Sequence, residues 1–183
     1  MSYEIAKNKA WGELGKFNFP QAVSVKFLAD EYTVDLEKKE VYSLSCNVHA
    51  KDFTAILILH YLAQKSNGLP LVTGEWLTFR EFSGIEGYYA AFKQRSIEPI
   101  VRKYGKNPEG IFSVIDRLAA KKAQGADAGI IIEAFEGVPV LVKLWKADED
   151  FGPDANMFFD RSISNIFCIE DIVVLAGIIA GKL

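Results

Sequence analysis

Five carboxylates crowd the segment "WKADEDFGPDANMFFDRSISN", residues 145–165: Asp148, Glu149, Asp150, Asp154 and Asp160. Clustered carboxylates suit a hard divalent cation or an acid–base pair. The spacing argues against the best-defined cation loop. That loop needs oxygen ligands at its first, third and fifth positions, glycine at the sixth and a bidentate acid at the twelfth. Counted from Asp148, the fifth, sixth and twelfth positions fall on Gly152, Pro153 and Phe159. Counted from Asp150, the third is already Gly152. The expectation is a solvated connection whose acids cap and turn the backbone, with no metal site.

Cys46 and His49 form C-x-x-H in "SCNVHAK". On a strand, residues three apart point to opposite faces and do not share a metal. Leu44, Cys46 and Val48 are expected to face a core, with Ser45, Asn47 and His49 outward. His49, at a strand end, is kept as a candidate ligand contact. His60 falls on a buried helical stripe. With two histidines and no H-E-x-x-H, a zinc hydrolase is not expected. There is no G-x-S-x-G and no glycine-rich phosphate loop. Cys168 precedes an apolar helix, where a thiol becomes reactive if its pKa is lowered. The expectation is a weak cap packed under the helix. No catalytic residue is assigned.

One group has the chemistry of a ligand site. Trp76, Thr78 and Arg80 lie at even spacing and, on a continuous strand, share a face. Lys143 and Trp145 share another, with Lys146, Asp160 and Arg161 near in sequence. Aromatic rings beside positive charges suit a small planar or anionic ligand. Glu133 enters through a hairpin. In "AGIIIEAFEGVPVLVKLW" the turn is Glu136-Gly137. A two-residue turn pairs Phe135 with Val138 and Glu133 with Val140, which sends Glu133 and Lys143 to opposite faces. A three-residue turn sets them diagonally on one face, where they pair. The sequence leaves both registers open. Both faces of the hairpin are apolar, so helices are expected to cover both sides.

The remaining elements follow from periodicity. Residues 4–14 read as a helix with Ile5, Trp11 and Leu14 on its apolar side and Gly15 as its stop. "AVSVKFL", "YTVDL" and "EVYSLSCNV" read as an antiparallel unit. "KDFTAILILHYLAQKS" switches to a helix, apolar almost all round. "EWLTFREF" reads as a strand. Residues 86–104 read as a helix interrupted at Pro99. Residues 109–124 read as a cleaner helix, with Phe112, Ile115, Leu118 and Ala119 inward and Gly125 as its stop. "ANMFFD" reads as a short strand and "CIEDIVVLAGIIAGKL" as a helix with charges that match its dipole. Gly177 and Gly181 leave one face of that helix bare, a surface suited to homodimer contact. The order of elements predicts an α+β fold, residues 1–183 as a single compact domain, with a mostly antiparallel sheet of about six strands packed with helices.

Composition sets the outer limits. The 183 residues are 50% hydrophobic, enough for a core without staples. The net charge of −3 gives no reason to expect nucleic acid or an anionic membrane surface. The apolar runs are too short to span a bilayer, and the first residues lack a signal-peptide pattern. Two cysteines cannot build a disulfide framework or a four-thiolate cluster. A cytoplasmic, reduced setting is the expectation.

At "ADEYTVDL", "HAKDFTAILILHYL", "PLVTGEWLTFREF", "IEAFEGVPVLVKLWKADEDF" and "ANMFFDRSISNIFCIEDIVVLAG" the chain resembles the family called domain of unknown function 3786. Members occur in anaerobic bacteria and archaea, and some are fused to a small four-cysteine iron–sulfur domain like those of corrinoid proteins. The resemblance implies, by association, a setting near anaerobic one-carbon, corrinoid or iron–sulfur metabolism. It carries no catalytic residues across and names no cofactor. The leading expectation is a non-catalytic binding or accessory domain with a redox or corrinoid protein partner. Two others stand beside it: an enzyme in which Glu133 or Asp160 works with Lys143 on a small anionic substrate, and a structural homodimer.

Overall fold

The structure is a computed structural model and describes residues 3–183. The fold is α+β, and its strands are divided between two antiparallel sheets of four and five strands, not gathered into one of about six. The chain divides into two compact units, with the boundary between Pro70 and Leu71.

The first unit begins with α1 (Tyr3–Leu14), which buries Ala10, Trp11 and Leu14 and ends where Gly15 N–H reaches the Trp11 carbonyl at 2.9 Å. Ile5, expected on the apolar side, is 63% exposed. Strands β1 (Ala22–Phe27), β2 (Asp30–Asp35), β3 (Glu40–Ser43) and β4 (Val48–His49) form a meander in chain order. Alternation places Val25, Phe27, Tyr32, Val34 and Val41 inward. Helix α2 (Asp52–Asn67) packs on α1 and β1 and buries a run from Thr54 to Leu59, then Tyr61 and Leu62.

"EVYSLSCNV" is therefore not one strand. Asp30 holds a turn in its middle: its carboxylate accepts from Ser43 Oγ at 2.7 Å and from Ser45 N–H at 3.2 Å. Asn47 supplies the left-handed conformation, φ 54°, that brings β4 back. The expected core positions consequently face out, with Leu44 49% and Val48 54% exposed and Cys46 also exposed.

The second unit is built on β5 (Trp76–Thr78), β6 (Lys121–Lys122), β7 (Ala128–Phe135), β8 (Val138–Trp145) and β9 (Asp154–Asp160). Their order across the sheet is β5-β9-β8-β7-β6. One face is dry. Ile130, Ile132, Val140, Val142, Met157 and Phe159 are all 0% exposed. Phe159 meets Phe92 at 6.3 Å between ring centroids, and Phe92 stacks on Phe79 at 4.2 Å. Phe92 closes α3 (Tyr89–Phe92), a wide π turn over Lys93–Ile97 follows, and α4 (Glu98–Tyr104) continues the helix. Pro99 does not interrupt this helix at Glu98, which keeps helical dihedrals. The missing proline donor is absorbed by the π turn one step earlier.

The expected helix over 109–124 is shorter and of another kind. A 3-10 segment at Pro108–Val114 leads into α5 (Ile115–Leu118), which ends at left-handed Ala119, φ 50°. Pro108, Ile111, Val114 and Leu118 are the buried positions, while Ala119 is exposed. Beyond it the chain is already strand, β6.

Helix α6 (Ile169–Lys182) carries Glu170 and Asp171 in its first turn. At its other end the Lys182 carbonyl accepts from Arg117 at 2.5 Å, and the Leu183 carbonyl accepts from Lys103 and Tyr104. The Arg117 and Lys103 cations there complement the negative end of the helix dipole. Gly177 faces Arg95 of the π turn, whose Cβ would lie 3.8 Å from a side chain at that glycine. The chain's own packing thus occupies half of the bare stripe; nothing lies within 4 Å of a Cβ built at Gly181. Among the described residues, no helix is long and apolar enough to cross a membrane.

Candidate functional site

The β7–β8 register decides where the candidate residues go. The turn has two residues, with Phe135 paired to Val138, yet Glu133 pairs with Pro139, not Val140. A bulge at Ala134 inserts one residue between the two pairs. Parity therefore changes inside β7. Phe135 joins the dry face, 5.9 Å from the Phe167 ring, and Glu133 turns to the opposite face. Lys143, paired with Gly129, lies on that face too. Neither register expected from the sequence includes this bulge.

The opposite face is half-open, not covered as the sequence suggested. One row crosses all five strands as Thr78, Phe158, Leu141, Ile131 and Lys121. The next row holds Asn156, Lys143 and Gly129, and Trp145 beyond it pairs with Asp154. Trp76, Phe158, Asn156, Lys143 and Trp145 are all half-buried. Trp76, by contrast, pairs with Asp160 at the far end of β9. Six residues of β9 separate the two tryptophan rows, about 20 Å along the strand. The sequence group is thus two separate groups.

At the Asp160 end, every charge already has a use. The Asp160 carboxylate, 1% exposed, accepts from Thr73 N–H and Oγ at 3.0 Å, Gly74 N–H at 2.6 Å and Ser162 N–H at 3.0 Å. Burial pushes its pKa up, but the hydrogen bonds from Ser162, Thr73 and Gly74 outweigh that and bring it to about 2. Arg161 pairs with Glu75 at 2.5 Å. Arg80 is not on the strand with Trp76, because β5 stops at Thr78. Glu81 accepts from Thr78 N–H at 2.7 Å and Thr78 Oγ at 2.8 Å, winding residues 79–81 into a 3-10 turn. That swings the Arg80 guanidinium over the Tyr89 ring at 4.4 Å.

The Lys143 end differs. Its ammonium lies 5.6 Å from the Phe158 ring centroid. On its other side is Gly125, φ +85°, where an added Cβ would come within 3.0 Å of Nζ. Among the described residues no carboxylate lies within ion-pair distance of Lys143. Asn156 Oδ1 accepts from Met157 N–H at 2.9 Å, which leaves its amide donors free to turn outward. The Glu133 carboxylate accepts from Gly137 N–H at 3.2 Å in its own hairpin turn. Its pair lies four residues along β7 from that of Lys143, about 13 Å.

Residues 14–182 match the family described as a domain of unknown function, DUF3786. The chain belongs to that family. No curated protein and no solved structure matches it.

The acidic segment holds its own backbone. Asp148 accepts from Asp150 N–H at 3.0 Å and Phe151 N–H at 2.7 Å, and Asp160 caps the turn that follows β9. Among the described residues, no three His, Cys, Asp or Glu side chains come together as a metal site. Cys168 donates to Asp171 Oδ2 at 3.3 Å. Desolvation and the Asp171 carboxylate push its thiol up to about 12, the opposite of an activated nucleophile. His49 belongs to the first unit, exposed at the end of β4 and edge-on to the Tyr42 ring at 5.4 Å.

Phe158 and Asn156 are the site residues that sequence reasoning passed over. Their signal lies in "DANMFFD": Ala155, Met157 and Phe159 alternate inward, so Asn156 and Phe158 must point out. The Lys143 end sets an aromatic ring, an ammonium group and an amide side by side on one sheet face.

Proposed function

We propose that this DUF3786 domain is a non-catalytic binding or accessory domain whose ligand is small and planar or anionic. The half-open sheet face around Lys143, Trp145, Asn156 and Phe158 takes that ligand. The observation that carries this reading is the Lys143 ammonium, which lies over Phe158 with no carboxylate in ion-pair distance among the described residues, beside a half-buried tryptophan. A half-desolvated cation gains most from an anion that reaches it. An aromatic floor adds contact with a flat ring. The family resemblance supports a redox or corrinoid protein partner in anaerobic one-carbon or iron–sulfur metabolism. A reduced, cytoplasmic setting agrees with two free cysteines.

The carboxylate–lysine enzyme reading lacks its pair, since Asp160 is held by backbone donors and Glu133 lies about 13 Å from the Lys143 row. The test is a melting-temperature panel of corrinoids, haem, flavins and nucleotides. A ligand that binds raises the midpoint in proportion to its concentration over Kd. A flat midpoint across the panel would contradict the proposal.

A further inference from the structure

The sheet edges are unequal. β4, β5 and β6 end their sheets with strands of two, three and two residues, too short to template another strand. β1 ends the first unit's meander with six. Leu36 N–H donates to the Gln21 carbonyl at 2.9 Å, which makes these two a hydrogen-bonded pair. Alternation then turns the backbone groups of Val23, Val25 and Phe27 towards β2 and those of Ala22, Ser24 and Lys26 away from it. Among the described residues, nothing bonds to the N–H and carbonyl groups of Ala22, Ser24 and Lys26, and all three residues are exposed. The β1–β2 register is continuous, β1 carries no proline, and its one charge is Lys26. This edge is long, straight and unpaired.

We infer that β1 pairs with β1 of a second copy of this chain, antiparallel about a two-fold axis through Ser24. The unpaired backbone groups fall on even-numbered residues, so only registers that match even with even can bond. The register centred on Ser24 uses them all. It sets Ala22 opposite Lys26 of the second copy, Ser24 opposite its counterpart, and Lys26 opposite Ala22 of the second copy. The side chains agree with it. On the inner face, half-buried Val23 meets Val25 of the second copy, a β-branched pair. On the outer face, Lys26 stands between Glu31 of its own β2 and, past the small Ala22 of the second copy, that copy's Asp35. No like charges stand opposite one another. The two four-stranded meanders become one continuous sheet. The contact lies in the first unit and uses none of the residues proposed to hold the ligand.

A single strand pair is small beside the roughly 1,200 Å² of a stable interface, so the dimer is expected to dissociate at about micromolar concentration. Sedimentation velocity of the full chain from about 1 to 200 µM should show a reversible monomer–dimer equilibrium. Ala22→Lys keeps a favourable neighbour in its own Asp35 but sets a lysine opposite Lys26 of the second copy, twice by symmetry. It should weaken the dimer about tenfold. Ser24→Pro removes an N–H that the chain itself leaves unbonded, and should weaken the dimer by about the same factor. Melting curves confirm that each variant folds, and Ala22→Lys alone decides the matter if Ser24→Pro does not fold. A monomer throughout overturns the inference, whether the edge stays open or takes a strand from another protein. A dimer that Ala22→Lys leaves as tight as before also overturns it and places the contact elsewhere.

Discussion

The two ends of one sheet carry opposite lessons about charge. At one end Asp160 is buried and ionised, and its oxygens take donors from Thr73, Gly74 and Ser162. At the other, Lys143 is half-buried beside Phe158, and among the described residues no carboxylate pairs with it. Residue type alone makes both look like site chemistry. The hydrogen-bond account separates them: a charge whose partners are supplied by the fold stabilises the fold, and one whose partners are missing is available to a ligand.

Substituting Asp160 gives the largest expected effect. Asp160→Ala strands the Thr73 and Gly74 donors and removes the cap of the turn after β9, and should cost about 3 kcal/mol in urea denaturation. A loss near zero would erase the contrast. The pH dependence sharpens it. The folded pKa, about 2, lies below the ordinary value of 3.8, so the contribution is complete above 3.8 and lost as pH falls towards 2. Asp160→Asn should flatten that part of the stability profile.

Gly125→Ala should cost less, about 1 kcal/mol, because φ +85° suits glycine and the new Cβ meets Lys143 Nζ at 3.0 Å. It should also weaken ligand binding by displacing the ammonium. The smallest change is expected at Glu133, exposed and bonded to Gly137 N–H in its own turn: Glu133→Ala should stay within ~0.5 kcal/mol and leave binding unchanged. A large loss of binding in that variant would bring Glu133 back as a site residue.

Much of this was legible in the chain. The β7–β8 hairpin and its Glu136-Gly137 turn, α2, β9 and α6 all follow from periodicity and turn chemistry. The failures share one physical cause: a local side-chain bond or an irregular residue overrides an even pattern. Asp30 and Asn47 fold "EVYSLSCNV" back on itself. Glu81 ends β5 before Arg80. Ala119 stops the helix expected over 109–124. The bulge at Ala134 has no sequence signature, and it alone decides which face Glu133 takes. The candidate site was half legible. Lys143 and Trp145 share a face by simple alternation, whereas the 20 Å that part Trp145 from Trp76 depend on how β9 threads between β5 and β8.

Three tryptophans allow a direct test, because each indole N–H gives one resolved resonance in a nitrogen-labelled sample. Trp11 is buried in the first unit, Trp76 lies at the Asp160 end and Trp145 at the Lys143 end. On titration with flavin mononucleotide, the account predicts that the Trp145 resonance moves in a saturable way while those of Trp76 and Trp11 stay. Movement of Trp76 with Trp145 unaffected would contradict it.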